Sequence, residues 1–209
     1  MEIKDISFDE KKGLFIVEFD KNTLNASYNL YNELNLSKGK VLDEDEFNKL
    51  RDFNDYNLNF SKALNFISYR IRSKKEVYDK LRKENVSKNH IDKIISKLEE
   101  DGYIDDYRFA KAFFESKTEI NKWSNRRIEY DLINKGIDKN IIDEFSLNFK
   151  ELEFENAMDL VEKKLPQWEN KFEGFKLKNK IYTFLSSKGF DYSIIEKVIG
   201  ELIWISFTF

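Results

Sequence analysis

Cysteine is missing from this 209-residue chain, and proline, with one copy, and glycine, with seven, are scarce. The lack of thiols excludes disulfides, thiolate metal sites and cysteine nucleophiles. The scarcity of proline and glycine argues against long irregular loops and closely spaced β-turns. Histidine occurs once, as His90, on the polar face of a predicted helix. We expect a surface side chain there rather than a general base or a metal ligand.

Long apolar runs are also missing from the sequence. No stretch of about 18 apolar residues could span a membrane, and residues 1–12 lack the apolar core of a signal peptide. The sequence has neither a phosphate-binding glycine loop nor a G-x-S-x-G nucleophile motif. We therefore expect a cytoplasmic, monomeric protein that is not an enzyme, needs no cofactor or metal and does not contact a membrane.

Charged residues, in contrast, make up 36% of the chain, and their signs are unevenly distributed. The net charge is −3, yet residues 70–83 contain seven basic and two acidic side chains. Such a run is most often a solvated helix face. The charged and aromatic content together are typical of a helix-rich globular protein.

The first 55 residues show strand patterning. Residues 3–8 and 14–19 are apolar segments joined by a loop that ends at Gly13, which predicts a β-hairpin. A third strand is predicted near residues 23–26. A short helix is predicted from Tyr28, and a further helix has Asp43 as its N-cap. Residues 54–59 are interpreted as a linker.

From residue 60 onward the apolar spacing is helical, and one pattern recurs at intervals of 51 and 53 residues. Each copy has a helix, a residue that tolerates a left-handed turn, an N-cap and a second helix. A further helix precedes each copy. The corresponding positions are Leu81, Asn85 and Ser87; Leu132, Gly136 and Asp138; and Leu185, Gly189 and Asp191.

This repeat predicts a mainly α fold. A small N-terminal α+β unit at 1–55 is followed by three tandem three-helix, helix-turn-helix-like repeats at 60–102, 103–149 and 150–209. Modules of this size cannot bury a core alone, so we expect them to stack into an elongated, curved array. The uncharged segment 202–209 is predicted to continue the last helix in its first half and is β-prone in its second.

Basic residues begin the middle helix of each repeat, at 74–75, 126–127 and 178–180. Cations there oppose the helix macrodipole by about 0.3–1 kcal/mol each, and natural sequences tend to break such rules at functional sites. A cationic helix start can bind nucleic-acid phosphate or an acidic protein groove, whereas screening by salt is the simpler explanation. Trp123 is interpreted as packing between repeats. The candidate partner- or DNA-binding residues are Arg70, Arg72, Lys74, Lys75, Arg82, Arg126 and Arg127.

An ordered set of residues in this region resembles the RecX family, the regulators of the RecA recombinase. The matching residues are Ala63, Leu64, Arg70, Arg72, Ser73, Glu76, Lys80, Leu81, Lys97, Leu98, Gly102–Asp106, Arg108–Ala110, Arg126–Ile128, Leu132 and Lys135–Ile137. The chain departs from the family before its second basic pair, where Ser124 and Asn125 stand in place of the usual glycine.

The resemblance implies a non-enzymatic modulator that lies in the groove of the RecA–DNA filament. Its expected effect is to inhibit ATP hydrolysis and strand exchange in DNA repair and recombination, with single- or double-stranded DNA as a further partner. Two alternatives stay open from the residues alone. One is a sequence-specific DNA-binding protein of the helix-turn-helix type, and the other is a helical-repeat adaptor for a different protein partner.

Overall fold

The computed structural model describes residues 1–207 and, outside positions 148, 150, 151 and 203–207, their side chains. The predicted fold class is confirmed, since helices follow a small antiparallel sheet. The strands are β1 Asp5–Asp9, β2 Leu14–Glu18 and β3 Thr23–Ala26. The helices are α1 Tyr28–Glu33, α2 Glu44–Ser68, α3 Lys74–Lys83, α4 Lys88–Glu100, α5 Asp106–Glu115, α6 Asn125–Asn134, α7 Lys139–Asn148, α8 Lys150–Glu162, α9 Leu165–Glu169, α10 Gly174–Ser187 and α11 Tyr192–Phe207.

Two compact units divide the chain. The first contains Met1–Arg70 and Val77–Asp101, and the second contains Ile71–Glu76 and the chain from Gly102 onward. Helix α3 therefore contributes its first turn to the second unit and its remaining residues to the first.

The sheet of the first unit has the order β1-β2-β3, with Ile6 opposite Val17 and Val17 opposite Leu24. Because directly opposed residues of neighbouring strands lie on the same face of a sheet, these three residues share one face. That face covers a core to which α1 and α2 contribute. At the outer edge of β3, the Asn54 side-chain carbonyl accepts hydrogen bonds from the backbone and side-chain nitrogens of Asn25.

The predicted linker at 54–59 is wrong, because α2 runs through it without a break. The helix begins with a capping box, in which Asp43 and Glu46 bond each other's backbone N–H groups. The asparagines of 54–59 lower helix propensity, but no proline or glycine interrupts the helix. Apolar packing along α2 continues through Tyr56, which stacks on Phe60.

The second unit contains the middle and last repeats. Phe109, Phe114, Ile128 and Leu132 belong to the core around α5–α7, and a separate core joins α8–α11. Sequence patterning gave no sign of two features. A π-turn at Ser116–Ile120 follows α5, and the short helix α9 precedes α10.

The π-turn is held by side-chain hydrogen bonds. Thr118 is fully buried, and its Oγ1 donates to the Phe114 carbonyl at 2.7 Å. Asn156 Nδ2 donates to the Thr118 carbonyl at 2.9 Å. The two bonds give the Phe114 and Thr118 carbonyls side-chain partners at this turn.

Helix α11 continues to Phe207, so the helical part of the apolar C-terminal segment is longer than its predicted first half. Positions 208–209 and the side chains from 203 onward lie outside the described residues.

Candidate partner interface

The first basic helix start, at α3, is built around the buried side chain of Ser73. Ser73 Oγ accepts a hydrogen bond from the Glu76 N–H at 3.2 Å, and Glu76 Oε2 accepts one from the Ser73 N–H at 3.3 Å. Asp106 Oδ1 accepts from the Lys74 N–H at 2.8 Å. Two carboxylates thus lie at the positive end of the helix dipole and offset the unfavourable charge of Lys74 and Lys75.

Ser73 also binds the end of another helix. Its Oγ–H donates to the Lys135 carbonyl at 2.8 Å, and Lys135 is the C-cap of α6. Lys75 Nζ donates to the Asn134 carbonyl at 2.9 Å. Helix α6 has no basic residue in its own last turn, so Lys75 supplies the cation that its dipole favours. The unexpected placement of Lys75 therefore has a folding reason.

The second basic helix start, at α6, repeats this arrangement. Ser124 is fully buried, and its Oγ–H donates to the carbonyl of Lys188, the C-cap of α10, at 3.2 Å. The same oxygen accepts from the Arg127 N–H at 3.4 Å. We call these two contacts, Ser73 on Lys135 and Ser124 on Lys188, the serine joints. The first joint places the start of α3 against the end of α6, and the second places the start of α6 against the end of α10. In each joint the positive end of one helix dipole meets the negative end of another.

Each joint depends on the glycine that follows the accepting residue, Gly136 after Lys135 and Gly189 after Lys188. A Cβ added to Gly136 would lie 2.8 Å from the Lys75 Cβ, and one added to Gly189 would lie 2.8 Å from the Ser124 Oγ. The corresponding turn in the first repeat carries Asn85 at φ 59°. There the residue is exposed and borders an open groove of about 450 Å³.

Replacement of Ser124 tests whether the hydroxyl donation stabilises the joint. Ser124→Ala loses the cap and the joint bond and should lower the free energy of unfolding by about 1–2 kcal/mol. Ser124→Asp keeps a good N-cap acceptor but faces the Lys188 carbonyl with a buried carboxylate, so it should cost more, about 3 kcal/mol. Urea unfolding followed by circular dichroism measures both losses.

Asp138→Ser is the matched control, because Asp138 is an exposed N-cap without a joint. It should change the free energy of unfolding by less than about 0.5 kcal/mol. An aspartate at position 124 that is tolerated as well as serine would show that donation to Lys188 contributes nothing.

The second basic pair lies beside an aromatic side chain. The guanidinium of Arg127 lies 3.7 Å from the centre of the Trp123 ring, and Lys117 Nζ lies 4.6 Å from it. Trp123 packs on the core of its own module. Arg126 is exposed and makes no ion pair within the described part of the chain. The loop that departs from the family pattern has Ser124 as the N-cap and Asn125 bonded through its N–H to the buried Glu153 carboxylate at 3.0 Å.

The other candidate residues have different surroundings. Arg70 is exposed and Arg72 is half-buried, and both have contacts within the protein. Arg82 is exposed and pairs with Asp79 at 3.6 Å. Arg70 and Arg82 belong to the first unit, and Arg72 belongs to the second. Within the second unit, Lys75 contacts the end of α6 at the Asn134 carbonyl, while Arg126 and Arg127 lie at its start, about 13 Å away along the axis.

The prediction that His90 lies at the surface is wrong. His90 is 6% exposed, and its Nε2 lies 2.8 Å from Asp52 Oδ1. The long helix α2 covers it, and Tyr56 meets the ring edge-on at 6.0 Å. This contact was not predicted, because residues 54–59 were interpreted as a linker rather than as part of a packed helix.

Among the described side chains, no group of three or more histidine, aspartate or glutamate residues is arranged to hold a metal ion. None of the helices in the described part of the chain combines the length and apolar character that a membrane span requires.

Comparison with known proteins gives consistent results along the chain. Family models for the first, second and third three-helix domains of RecX match residues 60–98, 105–144 and 151–199 in that order. The regulatory protein RecX of Finegoldia magna is 36% identical over 203 residues, which cover 96% of this chain and 99% of that protein. The RecX of Clostridioides difficile is 35% identical over 170 residues, covering 81% and 79%.

Two solved structures are similar in fold. A crystal structure of a regulatory protein RecX has a TM-score of 0.78 at 23% identity and covers 95% of this chain and 98% of that one. The crystal structure of RecX from Lactobacillus salivarius has a TM-score of 0.66 at 32% identity, with 72% and 97% covered.

Proposed function

The chain belongs to the RecX family of regulatory proteins, and we propose that it binds the RecA–DNA filament and lowers its ATPase and recombinase activity. The observation that carries the proposal is the ordered match of all three RecX domains between residues 60 and 199. Relatives that bear the name of the regulator cover nearly the whole chain. The proposed role is non-enzymatic and needs no cofactor.

Exposed cations support an anionic partner for this protein. Lys75, Arg126 and Arg127 are all exposed. Lys75 donates through its ammonium group to the Asn134 carbonyl, and Arg127 donates through its backbone N–H to Ser124, which leaves its guanidinium group available. The DNA of such a filament presents phosphate, and an acidic protein groove is the other anionic surface that a cationic helix start can bind. Binding that neutralises phosphates should weaken as salt rises. We propose as contact candidates the members of the predicted set whose side chains are exposed, which are Arg70, Lys74, Lys75, Arg82, Arg126 and Arg127.

Steady-state ATP hydrolysis by RecA on single-stranded DNA tests the proposal. Adding the purified chain at increasing ratios to RecA should lower the hydrolysis rate, and the inhibition should weaken as salt rises from about 50 to 200 mM. An unchanged rate and unchanged filament stability at stoichiometric excess would rule out this function.

A sequence-specific DNA-binding role has less support. In the helix pair α3–α4, the second helix is the one that would enter the major groove. Its exposed side chains include Lys88, Lys93, Asp92 and Glu99, so its charge is mixed. Footprinting at physiological salt that found a preferred site would favour this role over the filament regulator.

A further inference from the structure

The middle helices of the three repeats present the same three register positions outward. In α6 these positions are Arg126, Tyr130 and Ile133, and Tyr130 is 65% exposed and Ile133 58% exposed. We call these three residues the α6 stripe. Applying the repeat intervals of 51 and 53 residues gives the corresponding positions in the other two helices, which are Lys75, Asp79, Arg82, Asn179, Thr183 and Ser186.

The other two helices show that folding does not need apolar side chains at these positions. In α3, Asp79 pairs with Arg82 at 3.6 Å. In α10, Thr183 Oγ1 donates to the Asn179 carbonyl at 2.8 Å. Only the middle repeat carries a tyrosine and an isoleucine there, and both face solvent. Exposed apolar side chains at a position where the fold accepts polar ones indicate a binding surface.

The spacing of the α6 stripe selects the shape of its partner. Residues 126, 130 and 133 are separated by four and then three positions, which is the spacing of a seam on which a second helix packs. Arginine and tyrosine are also the residue types that contribute most to protein interfaces. The stripe lies on a single helix, whereas proteins that bind single-stranded nucleic acid use grooves that follow the backbone.

Positive charge near both ends of α6 indicates that the partner carries acidic side chains. Arg126 lies at the start of α6, and the Lys75 ammonium group donates to the Asn134 carbonyl at its end. These cations are about 13 Å apart along the axis, close to two and a half helical turns. A partner helix with acidic side chains toward both ends and apolar ones between them complements this pattern.

We infer that the α6 stripe receives an acidic amphipathic helix of the RecA subunit, rather than DNA. This inference rests on the proposed function and adds to it which surface contacts the protein part of the filament. Tyr130 and Ile133 supply the apolar contact, and Arg126 sets the orientation. Lys75, from the preceding repeat, contributes a cation at the C-terminal end of the same helix.

The decisive variant exchanges the stripe for its counterpart in α10. Tyr130→Thr with Ile133→Ser introduces residues that the third repeat already carries at these positions, so helical content should be kept. Co-sedimentation with RecA–DNA filaments should show a dissociation constant raised at least tenfold, with binding to naked single-stranded DNA unchanged. Ile120→Ser is the control, because it removes another exposed apolar side chain of the second unit (77% exposed) and should leave the dissociation constant unchanged.

A photo-crosslinker identifies the occupant. With p-benzoylphenylalanine in place of Tyr130, the adduct should form on a RecA helix that carries Asp or Glu beside apolar residues. A DNA adduct, an adduct outside such a helix, or a double variant that binds filaments as tightly as the wild type would each overturn the inference. If the wild-type chain itself did not bind filaments, that distinct result would overturn the proposed function and this inference with it.

Discussion

Replacing Gly136 by alanine should lower the free energy of unfolding by about 3 kcal/mol, a large share of the stability of a domain this size. The residue has φ +79°, where an L side chain costs about 1–2 kcal/mol. The new Cβ would lie 2.8 Å from the Cβ of Lys75. That atom is fixed to the backbone of α3 and cannot swing aside, so the joint itself has to open. Urea unfolding followed by circular dichroism measures the loss.

Gly102→Ala separates the backbone cost from the packing cost. Gly102 has φ +72° in the same unit, and nothing lies within 4 Å of where its Cβ would be. This variant should lose about 1–2 kcal/mol from backbone strain alone. If the two alanine variants lost the same free energy of unfolding, the contact between Lys75 and the new Cβ would cost nothing. That result would contradict the prediction that close packing at Gly136 adds to the backbone strain.

The same joint explains why the left-handed turn is an asparagine in the first repeat and a glycine in the second. Asparagine and glycine both tolerate a left-handed turn, so local propensity treats Asn85 and Gly136 alike. The difference between them comes from a residue about 60 positions away in the chain. The Lys75 side chain occupies the space that a Cβ on Gly136 would need, whereas Asn85 borders an open groove. A Cβ is therefore tolerated only in the first repeat.

Local signals in the sequence were sufficient for several helix starts and for the first hairpin. Asp43 and Ser87 were both predicted as N-caps, and each side chain accepts a hydrogen bond from the N–H three residues later. These contacts span three residues, so a short window contains all the information needed. The β-hairpin around Gly13 was predictable for the same reason.

Long-range contacts explain what the sequence did not reveal. His90 has a polar neighbourhood in sequence but is buried by α2, to which Asp52 belongs. The donation from Ser124 to Lys188 spans 64 positions. One signal for the joints was present, since serine stands before the first two middle helices and Glu173, which makes no side-chain cap, stands before the third. A serine hydroxyl can accept and donate at once, which an aspartate N-cap cannot.

Reversing the charge of Arg126 should abolish most of the inhibition of RecA. Arg126→Glu places a carboxylate at the start of α6, where the helix dipole favours it, so the fold should be kept or slightly stabilised. In the proposed interface the same carboxylate repels an acidic partner surface. The chain concentration that halves RecA ATP hydrolysis should rise more than tenfold, equivalent to a loss of about 1.4 kcal/mol or more in binding free energy.

Lys139→Glu is the matched control for this reversal. Lys139 is an exposed cation in the first turn of α7, in the same repeat as Arg126, and its substitution makes the same change in net charge. A partner that responded only to the overall charge of the repeat would be weakened equally by both variants. A partner seated on α6 responds to Arg126 alone. Equal loss of inhibition would therefore assign the effect to long-range electrostatics, and a loss confined to Arg126→Glu would assign it to contact at the start of α6.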